Sequence, residues 1–168
     1  MIISIIYLVV SFLLEGIMSN IFPSTLSNIS YFTTIYIIIS FAIIYPYFDN
    51  DKKFFILIFI FGILFDILYT STIFVNTFIF IIIGIVIKIL YNVLPENVFM
   101  TNIISYIGII IYHILSFIIL MITGYMDYSI ILLFNIIIHS RFMTIIYTSI
   151  SYFVIKFIYN KFDIKYIK

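Results

Sequence analysis

The chain has 168 residues, of which 65% are hydrophobic and 9% are charged, whereas an ordinary soluble domain is about 45–50% apolar and about 25% charged. Charged residues at this frequency cannot cover the surface of a water-soluble globule. The composition therefore excludes a soluble fold and indicates an integral membrane protein. The net charge of +1 gives no electrostatic footprint for nucleic acid. The chain contains no cysteine, which excludes disulfides and thiolate-ligated metals.

Apolar stretches that are long enough to cross a bilayer, about 20 residues each, recur along the chain. They cover residues 2–22, 32–48, 54–72, 74–91, 103–124 and 129–157. Polar residues, Pro and Gly separate them. Continuous apolar runs such as 79–83 lack the alternation of a membrane β-barrel. The sequence therefore predicts an all-α, polytopic membrane protein, with residues 1–168 forming a single domain of six transmembrane helices in one bundle.

The distribution of basic residues predicts the orientation of the bundle. The connection after the second stretch contains Lys52 and Lys53, and Lys88 lies at the edge of the connection after the fourth. The C-terminal tail holds Lys156, Lys161, Lys165 and Lys168, whereas the connections after the first, third and fifth stretches contain no Lys or Arg. Loops rich in Lys and Arg stay on the cytoplasmic side. We therefore expect both termini to be cytoplasmic and the protein to be a multi-pass protein of the cell (plasma) membrane.

Ionisable residues within the predicted spans are the first candidates for a functional role, because charges at membrane depth are costly and usually face a bundle interior or a partner. Glu15, Asp66 and Arg141 all lie far from the ends of their predicted helices, which indicates positions near the midplane. We expect Arg141 to pair with Asp66 or with Glu15, and so to fix the order of the helices. The alternatives are a proton or ion path and docking of a partner's membrane helix.

Small and polar residues also recur at helical spacing within several stretches. Such stripes are typical of close helix packing, within one bundle or against a partner. They comprise Ser4, Tyr7, Ser11, Glu15 and Ser19; Gly62, Asp66 and Tyr69; Ser105, Gly108, Tyr112 and Ser116; and Arg141, Thr144, Thr148 and Ser151.

The sequence contains no motif that predicts catalysis or cofactor binding. It has no zinc-protease helix, no nucleophile elbow and no Gly-rich phosphate loop. His113 and His139 are isolated, so a hydrogen-bonded imidazole is a simpler interpretation than a metal site. We therefore expect a protein that is not an enzyme and that binds no cofactor or metal.

One stretch carries more information than the rest. Residues 61–69 read Phe-Gly-Ile-Leu-Phe-Asp-Ile-Leu-Tyr, and a short polar turn and an apolar helix that closes on Lys88 follow them. This arrangement of Gly62, Asp66 and Lys88 resembles the MreD family, the rod shape-determining membrane proteins of bacteria. The length, the predicted helix number and the cytoplasmic termini are similar to that family as well.

The resemblance implies a non-enzymatic scaffold subunit of the cell-wall elongation machinery. Such a protein binds the bitopic protein MreC and helps couple actin-like MreB filaments to the glycan polymerase and the class B penicillin-binding protein that build sidewall peptidoglycan. In this interpretation Gly62 and Asp66 set the packing that holds a partner surface in place.

The alternative hypothesis is a substrate-capture membrane subunit of an energy-coupling-factor type vitamin transporter, which has a similar length and helix number. Such a subunit needs a polar pocket near the outer face, which Asn28, Asn76, Tyr125 and Tyr128 could line for a neutral ligand. It also needs an Ala-rich docking stripe, and Ala42 is the only alanine in the chain.

Overall fold

The computed structural model describes residues 2–22, 34–70, 74–124 and 130–162. Throughout these ranges the secondary structure is helical, without a strand, which confirms the predicted all-α class. The helices are α1 (Ile2–Ile21), α2 (Tyr36–Ile44), α3 (Asp51–Phe65), α4 (Val75–Val93), α5 (Val98–Ile122) and α6 (Ile130–Lys161). A 3₁₀ turn at Tyr45–Tyr47 continues α2, and a π-helical segment at Asp66–Thr70 continues α3.

Five helices are long and apolar enough to cross a membrane: α1, α3 with its π-helical segment, α4, α5 and α6. This finding supports a membrane protein. The exception is α2, which with its 3₁₀ turn covers only Tyr36–Tyr47. An apolar helix of this length is typical of a buried core helix or of a segment that enters the bilayer without crossing it. The described residues therefore do not confirm the second of the six predicted crossings.

The short helix α2 forms the centre of the bundle. All nine of its residues are buried, and it packs against α1, α4, α5 and α6. A helix that is covered on every side needs no polar face, which explains its uninterrupted apolar sequence. The single hydroxyl proton of Ser40 has two acceptors within reach, Ser11 Oγ of α1 (2.6 Å) and the Tyr36 carbonyl of its own preceding turn.

One end of the bundle, which we call the basic end, contains the start of α1 and the end of α6. Ser4 and Tyr159 share a hydrogen bond of 2.6 Å, and Tyr159 stacks on Tyr47 with ring centroids 3.8 Å apart. The start of α3 and the end of α4 meet there through the salt bridge between Lys88 and Asp51. The first and last described helices therefore begin and end on the same side of the bundle; its assignment to the cytoplasm remains a prediction.

The helices begin in two different ways. At the basic end, α3 and α5 start with asparagine caps, where Asn50 and Asn97 each accept a hydrogen bond from a backbone N–H of the first turn. Away from that end, α2 and α4 follow Ile35 and Phe74, whose side chains cannot cap a helix. Since membrane interiors offer no water to unpaired amide groups, these two helix starts need acceptors from elsewhere in the chain.

The observed helix boundaries differ from the predicted ones mainly at the basic end. Helix α3 begins three residues before the predicted 54, and α5 begins five residues before the predicted 103. The asparagine caps explain both shifts, because they start a helix within polar sequence that hydropathy alone assigns to a loop. Helix α6 extends four residues beyond the predicted 157, to Lys161.

Candidate functional site

Asp66 supplies the acceptors that the start of α4 lacks. Its Oδ1 accepts hydrogen bonds from the backbone N–H and the side-chain amide of Asn76 (2.9 and 3.0 Å). Its Oδ2 accepts from the backbone N–H and the hydroxyl of Thr77 (2.9 and 2.7 Å). The Asp66 side chain is only 2% exposed. A carboxylate from α3 therefore caps α4, where its charge also complements the positive end of the helix dipole.

The backbone on both sides of this cap is unusual. Asp66 begins the π-helical segment that ends at Thr70, and such widened turns occur frequently at functional sites in helical proteins. Phe74, the residue before α4, has a left-handed backbone with φ of 64°. Left-handed backbone is unfavourable for a bulky residue and persists only where the surrounding contacts enforce it. The four hydrogen bonds to Asp66 anchor the residues that follow Phe74.

The cap extends into a polar network that joins three helices. The Asn76 amide also donates to Thr70 Oγ1 (3.0 Å), and Asn76 Oδ1 accepts from the Tyr112 hydroxyl of α5 (2.8 Å). Every polar group of the Asn76 side chain is therefore used. We call Asp66, Thr70, Asn76, Thr77 and Tyr112 the cap network.

Gly62 brings α3 and α4 close enough to form the cap. A Cβ atom at Gly62 would lie 2.7 Å from the Cα atom of Thr77, well inside van der Waals contact. Only glycine permits this backbone approach, and small residues have the same role in many membrane helix pairs. The two residues of the Gly-x-x-x-Asp pattern thus contact the same residue of α4, Thr77, from successive turns of α3.

Lys88 joins the same two helices at the basic end. Its Nζ lies 2.9 Å from Asp51 Oδ2, and both side chains are partly exposed. A salt bridge in this environment contributes modestly to stability, but it fixes which residues of α3 and α4 face each other. Gly62, Asp66 and Lys88 therefore all lie on the contact between α3 and α4.

Glu15 has a role in α2 that parallels the role of Asp66 in α4. Its Oε2 accepts a hydrogen bond of 2.7 Å from the backbone N–H of Tyr36, the first residue of α2. The next residue, Gly16, lies against Tyr69, whose hydroxyl donates to the Phe12 carbonyl (2.7 Å). The π-helical segment is thereby connected to α1 as well as to α4.

The structure does not form the expected ion pair of Arg141 with Asp66 or Glu15. Arg141 is exposed on α6, and the salt bridges within the described ranges join Lys53 to Asp49 and Lys88 to Asp51. The physical reason is that both acids already accept hydrogen bonds at helix starts, which compensates their charge without a cation. For the same reason, Asp66 lies at the end of the α3–α4 hairpin rather than midway along it.

The two histidines are not part of a cluster of metal-ligating side chains among the described residues. Among the described residues, no group of three or more His, Cys, Asp or Glu side chains is close enough to hold a metal ion. His113 instead lines a cleft of about 170 Å³ between α5 and α6, and its Nε2 atom is buried without a hydrogen-bond partner. The cleft is smaller than the pockets of about 300–1,000 Å³ that usually bind small molecules.

The outer pocket of the transporter hypothesis is described only in part. Asn76 belongs to the cap network, where the Asp66, Thr70 and Tyr112 contacts use its side chain. Asn28, Tyr125 and Tyr128 lie outside the described residues.

Sequence reasoning identified Gly62, Asp66 and Lys88 but missed their partners. No contact of these three residues with Asn76, Thr77 or Asp51 was predicted. A usable signal was present: an apolar residue, Phe74, precedes the first residues of α4, so that helix has no cap of its own. An acid one turn before the end of the preceding helix is then the nearest available acceptor.

With this geometry established, we compared the chain with known proteins. No family model, no curated protein and no solved structure matches it.

Proposed function

We propose that this protein is a non-enzymatic scaffold subunit of the bacterial cell-wall elongation machinery, located in the cell membrane, which binds a bitopic protein similar to MreC. Through that partner it would connect MreB filaments with the glycan polymerase and the class B penicillin-binding protein. The side of the membrane that holds both termini, and the sixth crossing, belong to the same proposal.

One observation carries the proposal. The residues on which the resemblance to the MreD family rests, Gly62, Asp66 and Lys88, are not scattered over the bundle. Each makes a contact between α3 and α4. Gly62 lies against Thr77, Asp66 accepts hydrogen bonds from Asn76 and Thr77, and Lys88 forms a salt bridge with Asp51. A pattern of residues that act together on one helix pair is more informative than the same residues as separate matches.

These contacts suit a scaffold because they fix the shape of a hairpin surface. Helix pairs in lipid associate through close packing and hydrogen bonds, without a hydrophobic force to hold them. The three contacts hold α3 and α4 in one register along their length. The outward sides of the hairpin carry large apolar residues such as Ile56, Ile67 and Phe78, which are 57%, 68% and 62% exposed.

The test is an affinity purification of the tagged, full-length protein from its native membrane in mild detergent, with mass spectrometry of the proteins that copurify. We expect a single-pass coiled-coil protein together with wall-synthesis enzymes. The Asp66→Asn variant should recover less of this partner per mole of bait, since the cap that shapes the hairpin is weakened.

Asp49→Asn is the matched control, because Asp49 makes only a solvent-exposed salt bridge with Lys53. It should recover as much partner as the unchanged protein. Recovery of paired ATPases and a coupling subunit would instead overturn the proposal in favour of solute import.

A further inference from the structure

Arg141 is the one described Asp, Glu, Lys or Arg residue that is exposed and lies away from the basic end. The acids that lie away from the basic end are engaged at helix starts, Asp66 within the cap network and Glu15 at Tyr36. No described residue forms a salt bridge with Arg141. Among the described residues, the exposed arginine is therefore a charge without a compensating acid.

Its position on α6 places this charge deep within an apolar segment. Arg141 follows Ile130 by 11 residues and precedes Lys156 by 15, which corresponds to about 16 and 22 Å of helix. One turn further along, the hydroxyl of Thr144 shares a hydrogen bond with that of Thr34, just before α2. An arginine that faces lipid at such a depth is energetically unfavourable unless a partner compensates its charge.

The residues around Arg141 form a surface that fits one helix. Phe134, Ile138 and Ile145 are exposed by 59%, 61% and 46%, and with Arg141 they recur at intervals of four, three and four residues. This spacing places them along one side of α6, in the pattern of a helix–helix contact. We call these four residues the Arg141 stripe.

The charge of the stripe restricts its occupant. A second copy of this chain would need an exposed acid at the same level. Among the described residues, Asp66 is buried, Glu15 is bonded to Tyr36, and Asp49 lies at the basic end. The described acids of a second copy are thus not available to Arg141, which favours an acid from a different protein.

We propose that the Arg141 stripe is the docking surface for a transmembrane helix of another protein, and that this helix carries an Asp or Glu at the level of Arg141. Pairing with a carboxylate in a low-dielectric contact offsets the burial cost of both groups and fixes the register of the two helices. The inference rests on the proposed function only in expecting the MreC-like bitopic protein as this partner.

Photo-crosslinking in native membranes tests the proposal. A benzophenone amino acid replaces Ile138 in the tagged, full-length protein, and the adducts are identified by mass spectrometry after irradiation. Ile150 is the matched control position, because it is 60% exposed but lies on a different side of α6 from the stripe. We expect a protein adduct from position 138 whose transmembrane segment contains Asp or Glu, and no such adduct from position 150.

Variants at Arg141 then test the charge itself. Arg141→Leu should lower the yield of the adduct about tenfold, whereas Arg141→Lys should retain most of it, because either cation can pair with the partner's acid. Arg141→Glu should abolish the adduct, and replacement of the partner's acid by Arg should restore it. Restoration by the exchanged charges requires a direct pair, which a merely structural role of Arg141 would not produce.

Other outcomes overturn the inference. Adducts with lipid alone would mean that lipid phosphate neutralises Arg141, and adducts between two copies would mean self-association. A protein adduct without an intramembrane acid, or an adduct unaffected by Arg141→Leu, would also contradict it.

The test separates this inference from the proposed function. An acid-bearing partner unrelated to wall synthesis would support the Arg141 stripe and contradict the scaffold proposal. Copurification of the wall-synthesis proteins without a charge-dependent adduct at position 138 would support the scaffold proposal and contradict the Arg141 stripe.

Discussion

The use of Asp66 shows how a carboxylate can be buried in a membrane bundle without a cation. Its two carboxylate oxygens accept four hydrogen bonds from adjacent residues of α4. Two come from backbone N–H groups, one from a side-chain amide and one from a hydroxyl. Hydrogen bonds to a charged acceptor are stronger than neutral ones, and the start of a helix carries partial positive charge. The acid therefore caps α4, although it lies in the π-helical segment that continues α3.

Substitution of Asp66 by asparagine should destabilise the protein measurably. The variant keeps the shape of the side chain but replaces one acceptor oxygen with an amide group, which points donors at the donors of Asn76 or Thr77. We expect a loss of about 1.5–3 kcal/mol in the free energy of unfolding. Thermal or denaturant-induced unfolding in detergent micelles measures it, and Asp49→Asn should leave the transition unchanged.

Removal of Arg141 should behave differently from removal of Asp66. Since the two residues do not contact each other, Arg141→Leu should leave unfolding of the isolated protein unchanged. The effects of Asp66→Asn and Arg141→Leu should add within about 0.5 kcal/mol in the double variant. If the double variant were more stable than Asp66→Asn alone, that result would contradict the structure and support the ion pair between Asp66 and Arg141 that the sequence predicts.

At the level of the helices, the closest approach between α3 and α4 determines whether the cap can form. A methyl group at Gly62 meets the backbone of Thr77, which cannot move without displacing the donors from Asp66. Gly62→Ala should therefore cost about 1–3 kcal/mol, as overpacking of a tight contact usually does.

Gly84→Ala is the matched control for this contact, because it adds the same methyl group to the same helix pair. Its new Cβ would meet the end of the Ile58 side chain and the Phe55 ring, which can move by rotation. We expect a smaller loss than for Gly62→Ala in the same unfolding assay. Equal losses would show that the backbone contact at Thr77 has no special weight.

The sequence predicted the helices better than the contacts between them. Hydropathy identifies the apolar segments, and the Gly-x-x-x-Asp pattern identifies α3, because both are properties of contiguous residues. The rotation of each helix depends on its neighbours. Thr144, Thr148 and Ser151 of α6 are buried, as their common stripe predicts, whereas Arg141 at the start of that stripe is exposed. No local signal distinguishes these two environments.

The length of α2 could not be predicted from the hydropathy pattern either. An apolar run such as residues 32–48 satisfies the hydropathy criterion for a span, yet the helix begins only at Tyr36, where Glu15 provides the cap. A contact with a residue about twenty positions earlier in the chain sets that start.

At the scale of the whole molecule, the topology can be tested directly because the chain contains no cysteine. Single substitutions to cysteine at Asn50, at the basic end, and at Thr123, at the opposite end, each introduce one thiol into a protein that otherwise has none. A membrane-impermeant maleimide applied to intact cells or spheroplasts should label Thr123→Cys and not Asn50→Cys. The opposite pattern would invert the proposed orientation, and permeabilised cells provide the control in which both are labelled.

The capping of α4 by an earlier helix has a consequence for biogenesis. When α3 leaves the ribosome, the carboxylate of Asp66 precedes its donors, Asn76 and Thr77, by 10 and 11 residues. Until α4 follows, α3 carries an acid that neither lipid nor its own backbone can satisfy. The two helices are thus complementary halves of one insertion unit, and the energetically favourable route into the bilayer is for the hairpin to enter together.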